Sequence, residues 1–142
     1  MKKLMLMTVA AMFTSLTFAQ KMQDKDVPAT VKTTFQKQYP DAKEVKWEKE
    51  NGNYEVEFEL KETEYSVLLD ASGNILETEI EISVDALPSN AKDYVSKNHS
   101  GQKIKEAAKI TDAKGTVTYE AEIKGTDLIF DTNGNFIKEV KE

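Results

Sequence analysis

The chain has no cysteine and no arginine, so all 19 of its basic residues are lysine. It has one histidine, one tryptophan and three prolines in 142 residues. Each gap removes a class of chemistry. Without cysteine there is no disulfide, thiolate zinc site, thiol nucleophile or redox couple. Stability then has to come from packing, which favours one continuous core over two independent miniature domains. Without arginine the chain lacks the planar fork that grips phosphate, and a formal net charge of -6 leaves no basic patch for nucleic acid. A single histidine gives no Ser-His-Asp spacing and no metal triad, so neither enzymatic activity nor a cofactor is expected.

Long hydrophobic runs are also scarce. The main one lies in "MKKLMLMTVAAMFTSLTFAQ" at the start. Lys2 and Lys3 precede an apolar stretch from Leu4 to Phe13, and Thr17 and Ala19 are small residues suited to cleavage, the pattern of a secretory signal peptide over residues 1–19. The run is too short for a spanning helix in the mature chain, and with no cysteine after it a lipoprotein anchor is excluded. The expected mature protein begins at Gln20, is periplasmic or secreted, and does not insert in the membrane. Loss of Lys2 and Lys3 moves the formal charge from -6 to -8, with 17 lysines against 25 acidic residues.

What remains is written twice. "DASGNIL" (70–76) returns as "DTNGNFI" (131–137), and "VPATVKTTFQKQY" (27–39) as "LPSNAKDYVSKNH" (87–99). Between them, Gly52 aligns with Gly115 and Tyr54-Glu55 with Tyr119-Glu120, the length differences falling in loops. Each copy opens with proline at a helix start. Val31, Phe35 and Tyr39, and likewise Ala91, Val95 and His99, recur every four residues as one stripe. Strands follow in each copy. Asn51-Gly52 sits between alternating segments and calls for a type I′ turn, and Asp70–Asn74 and Asp131–Asn135 close a second hairpin. The predicted fold is α+β: two tandem helix-plus-four-antiparallel-strand repeats. After a short segment 20–26, unit 1 covers 27–82, a linker 83–86 and unit 2 87–142.

A two-residue turn at Asn51-Gly52 pairs Val45 with Phe58 and Trp47 with Val56 on one face. It pairs Glu44 with Glu59, Lys46 with Glu57 and Glu48 with Glu55 on the other. Two of those three pairs oppose like charges, at roughly 0.2–1 kcal/mol each. Glu77, Glu79 and Glu81 alternate in the same manner. In unit 2 Lys109 is expected opposite Glu120 and Ala107 opposite Glu122, a less acidic half. Such a face reads as a solvated surface that resists edge pairing, as a docking surface for a basic protein, or as a divalent-cation site at Glu48 and Glu55. Glycoside hydrolysis would need sugar-stacking aromatics, and the one tryptophan is expected in the core.

Other residues read as structure. "DASGN" offers only Asp70 and Asn74 as oxygen ligands, too few for calcium. His99 suits a helix C-terminus. Trp47, Tyr54, Phe58 and Tyr119 read as core anchors, and "KNHSGQKIK" (97–105) as a solvated connection.

The residues Pro28, Phe35, Tyr39, Pro40, Ala42, Val45, Trp47, Asn51, Gly52, Tyr54, Leu69, Asp70, Gly73 and Asn74 together form a pattern that resembles the PepSY-like, beta-lactamase-inhibitor-like proteins exported by Bacteroidetes-type bacteria. The likeness covers the expected mature chain, more strongly in unit 1; in unit 2 Ile110 is matched to Trp47. The resemblance implies helices packed on one face of a sheet, the other face open to a partner. The family name points to inhibitors that grip enzymes with a concave sheet, and PepSY domains to restraint of peptidases. The expected function is a non-enzymatic binding module for a protein partner, with Lys46, Glu48, Glu55, Glu57 and Glu59 as outward contacts. The alternative is a periplasmic small-ligand or divalent-cation binding protein.

Overall fold

Apolar–charged alternation makes strands whose two faces differ, and in the computed structural model those strands join in one sheet. Residues 20–141 are described here; the expected leader over 1–19 lies outside the described residues. The order is β1 (Gln20–Met22), a 3-10 turn (Asp24–Asp26), α1 (Ala29–Gln38), β2 (Lys43–Glu50), β3 (Asn53–Leu60), β4 (Thr63–Leu69) and β5 (Ile75–Ile82). A second 3-10 turn (Val84–Ala86), α2 (Ser89–Asn98), β6 (Glu106–Asp112), β7 (Val117–Ile123), β8 (Thr126–Phe130) and β9 (Phe136–Lys141) complete it. All nine strands form a single antiparallel sheet in sequence order, continuous from one copy to the next through β5 and β6. The segment expected as a linker contains the second 3-10 turn, counterpart of the one before α1. Each helix reaches back to its turn through a lysine: Lys32 Nζ donates to Asp24 at 2.6 Å, and Lys92 Nζ to the Asp85 carbonyl at 3.3 Å.

Both helices cover the same face. Val31 and Phe35 of α1 bury against Trp47, Tyr54, Val56, Phe58, Val67 and Leu69, while Ala91 and Val95 of α2 bury against Ala107, Ala121, Ile123, Leu128 and Phe130. The core is therefore two clusters bridged by the sheet rather than one continuous core. They differ in content. Phe35 meets Trp47 and Phe58 edge-on at 5.3 and 5.1 Å, whereas β6 offers that face only Ala107, Lys109 and Thr111. Ile110, matched to Trp47 by sequence, lies on the opposite face, opposite Glu79.

The turns obey backbone sterics. Asn51 and Gly52 both have positive φ, 50° and 79°, as a type I′ turn requires. Lys61 and Glu62 make the same kind of turn at φ 51° and 63°, although neither is glycine; the equivalent turn in unit 2, Lys124-Gly125, has glycine at φ 71°. The "DASGN" and "DTNGN" turns are held by their aspartates. Asp70 Oδ1 accepts from the Ser72 and Asn74 amides at 2.9 Å and Oδ2 from Asn74 Nδ2 at 3.0 Å, and Asp131 repeats the set. These donors hold both carboxyls below the usual carboxylate range, the Asn74 side chain first for Asp70 and the Asn135 amide first for Asp131. A third copy, unrecognised in the sequence, is "DAKGT": Asp112 Oδ1 accepts from Lys114 and Thr116 at 2.8 and 2.9 Å.

Two of these turns lie directly on a helix. A Cβ on Gly73 would stand 2.8 Å from the Thr30 carbonyl oxygen, and one on Gly134 2.7 Å from Pro88 Cβ. Thr30 Oγ1 donates to the Ala71 carbonyl at 3.0 Å, and Asn90 Nδ2 to the Asn133 carbonyl at 3.1 Å. Gly73→Ala adds both a clash and a left-handed penalty, so denaturant unfolding should show a loss of about 2 kcal/mol or more. Glu62→Gly relieves backbone strain and should raise stability by about 0.5–1 kcal/mol, the reverse of glycine's usual effect.

Candidate functional site

Because both helices take one face, the pleat hands every other side chain to the bare face. β2 contributes Lys46, Glu48 and Glu50; β3 Glu55, Glu57 and Glu59; β4 Glu64 and Ser66; β5 Glu77, Glu79 and Glu81. β6 adds Glu106, Ala108, Ile110 and Asp112; β7 Thr118, Glu120 and Glu122; β8 Asp127 and Ile129; β9 Lys138.

The five residues expected on this face are all there, at different depths. Glu48↔Glu55 and Lys46↔Glu57 pair as expected, but Glu59 faces Lys43, because a bulge at Glu44 (φ 53°) breaks the register before Val45. Val45 is consequently 38% exposed instead of packing opposite Phe58. Lys46 is exposed and Glu48, Glu57 and Glu59 are half-buried. Lys46, Glu57 and Glu59 line one shallow cleft of about 40 Å³, with Glu44 and Glu64. Glu55, expected as an outward contact, is only 1% exposed and accepts a hydrogen bond from Ser66 Oγ at 2.8 Å.

Unit 2 departs by one residue. Lys109 pairs with Tyr119 and Ala107 with Ala121, so Ala108 faces Glu120 and Glu106 faces Glu122. A one-residue slip sends every side chain to the other face. It removes Lys109 from the bare face and makes this half more acidic than expected. The cause is the unrecognised Asp112–Thr116 turn, which is longer than the Asn51-Gly52 turn it was aligned with.

The face is concave: no helix covers it, yet Glu55, Ala108 and Ile129 on it are almost fully buried. At the centre lie carboxyl groups that sequence reasoning did not single out: Glu79, Glu120 and Asp127, 1%, 5% and 3% exposed. Burial first, then neighbouring carboxylates, pushes Glu79 and Glu120 far above the ordinary range. The charges around Glu79 are Glu77, Glu55, Asp127 and Glu57; those around Glu120 are Glu79, Asp127, Glu122 and Glu77. Nearer the rim, burial and then Glu122 opposite push Glu106 up to about 7. The alternation of Glu77, Glu79 and Glu81 was the available sequence signal, but it said nothing of depth.

Among the described residues, no group of three or more His, Cys, Asp or Glu is placed to hold a metal ion. None of the described helices is long and apolar enough to cross a membrane.

Residues 17–77 and 60–138 each match the family described as "Putative beta-lactamase-inhibitor-like, PepSY-like". A search of curated proteins found no match. Among solved structures, a DUF2874 family protein from Bacteroides uniformis superimposes with a TM-score of 0.71 at 18% identity, covering 80% of this chain and 88% of that one. A protein of Bacteroides eggerthii, described as a putative periplasmic protein, gives 0.73 at 12% identity, covering 81% and 88%. A BLIP-like protein of Bacteroides fragilis gives 0.65 at 21%, covering 80% and 86%. Identities this low speak for the fold alone.

The raised carboxyls have a sign. The folded state holds protons on Glu79 and Glu120 that the unfolded chain releases near the ordinary carboxylate range. Their stabilising contribution is complete below that range and is lost as pH rises through the folded values. Melting temperature should therefore fall between about pH 5 and about pH 9. Glu79→Gln should flatten the fall and gain about 1 kcal/mol or more at the alkaline end, one pKa unit's worth. Thermal melts across the range test this.

Proposed function

The chain belongs to the PepSY-like, beta-lactamase-inhibitor-like family, and from that premise we propose that it is an exported, non-enzymatic binding module whose bare sheet face docks a basic surface of another protein, an enzyme or peptidase that it inhibits. One observation carries the reading: every strand from β2 to β8 sends at least one carboxyl side chain to the face that the helices leave open. A concave face of one sign focuses its field on an approaching cation-rich surface and speeds encounter. Few lysines, Lys46 and Lys138 among them, share that face, so little of its charge is neutralised internally. The leader-like start of the sequence and the periplasmic description of the Bacteroides eggerthii neighbour support export. Lys46, Glu48, Glu57 and Glu59 form the rim that meets the partner first, with Glu55 beneath them.

The triple variant Glu48→Lys, Glu57→Lys, Glu59→Lys tests the face while leaving buried Glu55 intact. Melting temperature should change little, since these positions are not fully buried. Salt-sensitive capture of a partner from native exported extract should fall, with the association rate slowed about tenfold or more at low salt. Undiminished capture by the folded variant would falsify the docking face.

A further inference from the structure

Glu79 is a buried acceptor with nothing to accept. It is 1% exposed, and neither Oε1 nor Oε2 has a hydrogen-bond partner; Oε2 of Glu120 is likewise unpartnered. The register explains why. Across β4, Glu79 faces Ser66, whose hydroxyl is already given to Glu55, and across β6 it faces Ile110, which has no side-chain donor. Glu120 is flanked by Ala108 on one side and Ile129 on the other. Glu120 thus stands between two apolar neighbours and Glu79 between Ile110 and a serine already engaged, which leaves three carboxyl oxygens unfilled at the centre of the bare face.

We infer that this centre is a socket for one primary ammonium group, the tip of a lysine side chain presented by the docked protein, with Glu79 as its main ligand and Glu120 as the second. This rests on the docking reading above and names what that face takes up. An ammonium ion is a compact charge with three rotatable donors, which matches three acceptors spread over two strands that are not neighbours. A guanidinium is a rigid planar fork suited to one carboxylate taken bidentately. A divalent metal needs a convergent oxygen shell, and no such group is placed among the described residues. Ala108, Ile110 and Ile129, all buried on the same face, give a lysine's methylene stem an apolar wall while its charged tip reaches the acids. The surrounding carboxyls of Glu55, Glu57, Glu77 and Asp127 add attraction at longer range.

The experiment is an NMR titration of the exported protein, as processed by its host, with n-butylammonium as the lysine mimic. The carboxyl carbon resonances of Glu79 and Glu120 are followed, with n-butylguanidinium and calcium chloride in parallel. Expected is a saturable shift at those two residues at millimolar butylammonium, weaker binding of butylguanidinium, and no competition by calcium. Glu79→Gln should weaken binding about tenfold or more, as loss of a charged acceptor does. No saturable shift in the wild-type protein overturns the socket, and that titration needs no variant to fold. So does equal binding by a folded Glu79→Gln protein, or calcium saturating the same resonances. The two readings fail separately. If the triple rim variant loses its partner while butylammonium leaves Glu79 unmoved, the docking face stands and the socket falls. If butylammonium titrates Glu79 while the rim variant captures its partner undiminished, the reverse holds.

Discussion

Two glycines set which face of the sheet stays bare. Gly73 and Gly134 carry no Cβ, so the closing turn of each repeat can rest on the first turn of its own helix, where any side chain would collide with Thr30 or Pro88. That contact, together with the Thr30 and Asn90 hydrogen bonds to the turns, places α1 and α2 over the same side of the sheet. Once both helices lie on one side, the period-two pleat settles the rest: in unit 1 the large apolar residues of β2 and β3 go under the helix and their acidic neighbours in sequence go to the bare face, while in unit 2 Ala108, Ile110 and Ile129 join that face. The acidic surface is therefore the other half of the pattern that builds the core.

The two repeats divide this labour unequally. Unit 1 stacks Phe35, Tyr39, Trp47, Phe58 and Tyr65 in one aromatic cluster under α1. Unit 2 puts alanines at positions 91, 107 and 121, and its aromatic contacts shift outward to Tyr94, which stacks on Phe136 at 4.4 Å. Aromatic burial contributes far more per residue than alanine.

Much of this was legible in the sequence, and what was not has physical causes. The repeat, the proline helix starts, the apolar stripes and the Asn51-Gly52 turn each rest on a local rule that the fold obeys. The Glu44 bulge was hidden because Glu and Val can both continue a strand; only the positive φ at Glu44 reveals the extra residue. The unit 2 register was missed because "DAKGT" was aligned to a two-residue turn, although it carries the same Asp-x-x-Gly signature as "DASGN" and "DTNGN". Depth was the hardest property to read. Alternation places Glu55 and Glu79 on the polar face, but whether a polar face is wet depends on curvature, which no local pattern records.

The chemistry the chain lacks bears directly on those buried acids. With no arginine anywhere, no internal fork can bridge two carboxylates, and the lysines sit mainly in turns, on helices or toward the rim of the face. A buried carboxyl left in that position has two ways to avoid an unpaired charge: it can keep its proton, or it can receive a cation from outside. In the free protein burial and like charges favour the proton. A docked cation reverses the balance, and its entry must then release protons, because the same oxygens cannot serve both. A cation presented on a protein surface brings its own hydrophobic stem and neighbouring contacts to help meet that cost, whereas a free ion brings only charge. On the proposed reading, orphaned acceptors beside Ala108, Ile110 and Ile129 would favour an ammonium carried on an apolar stem over a bare ion.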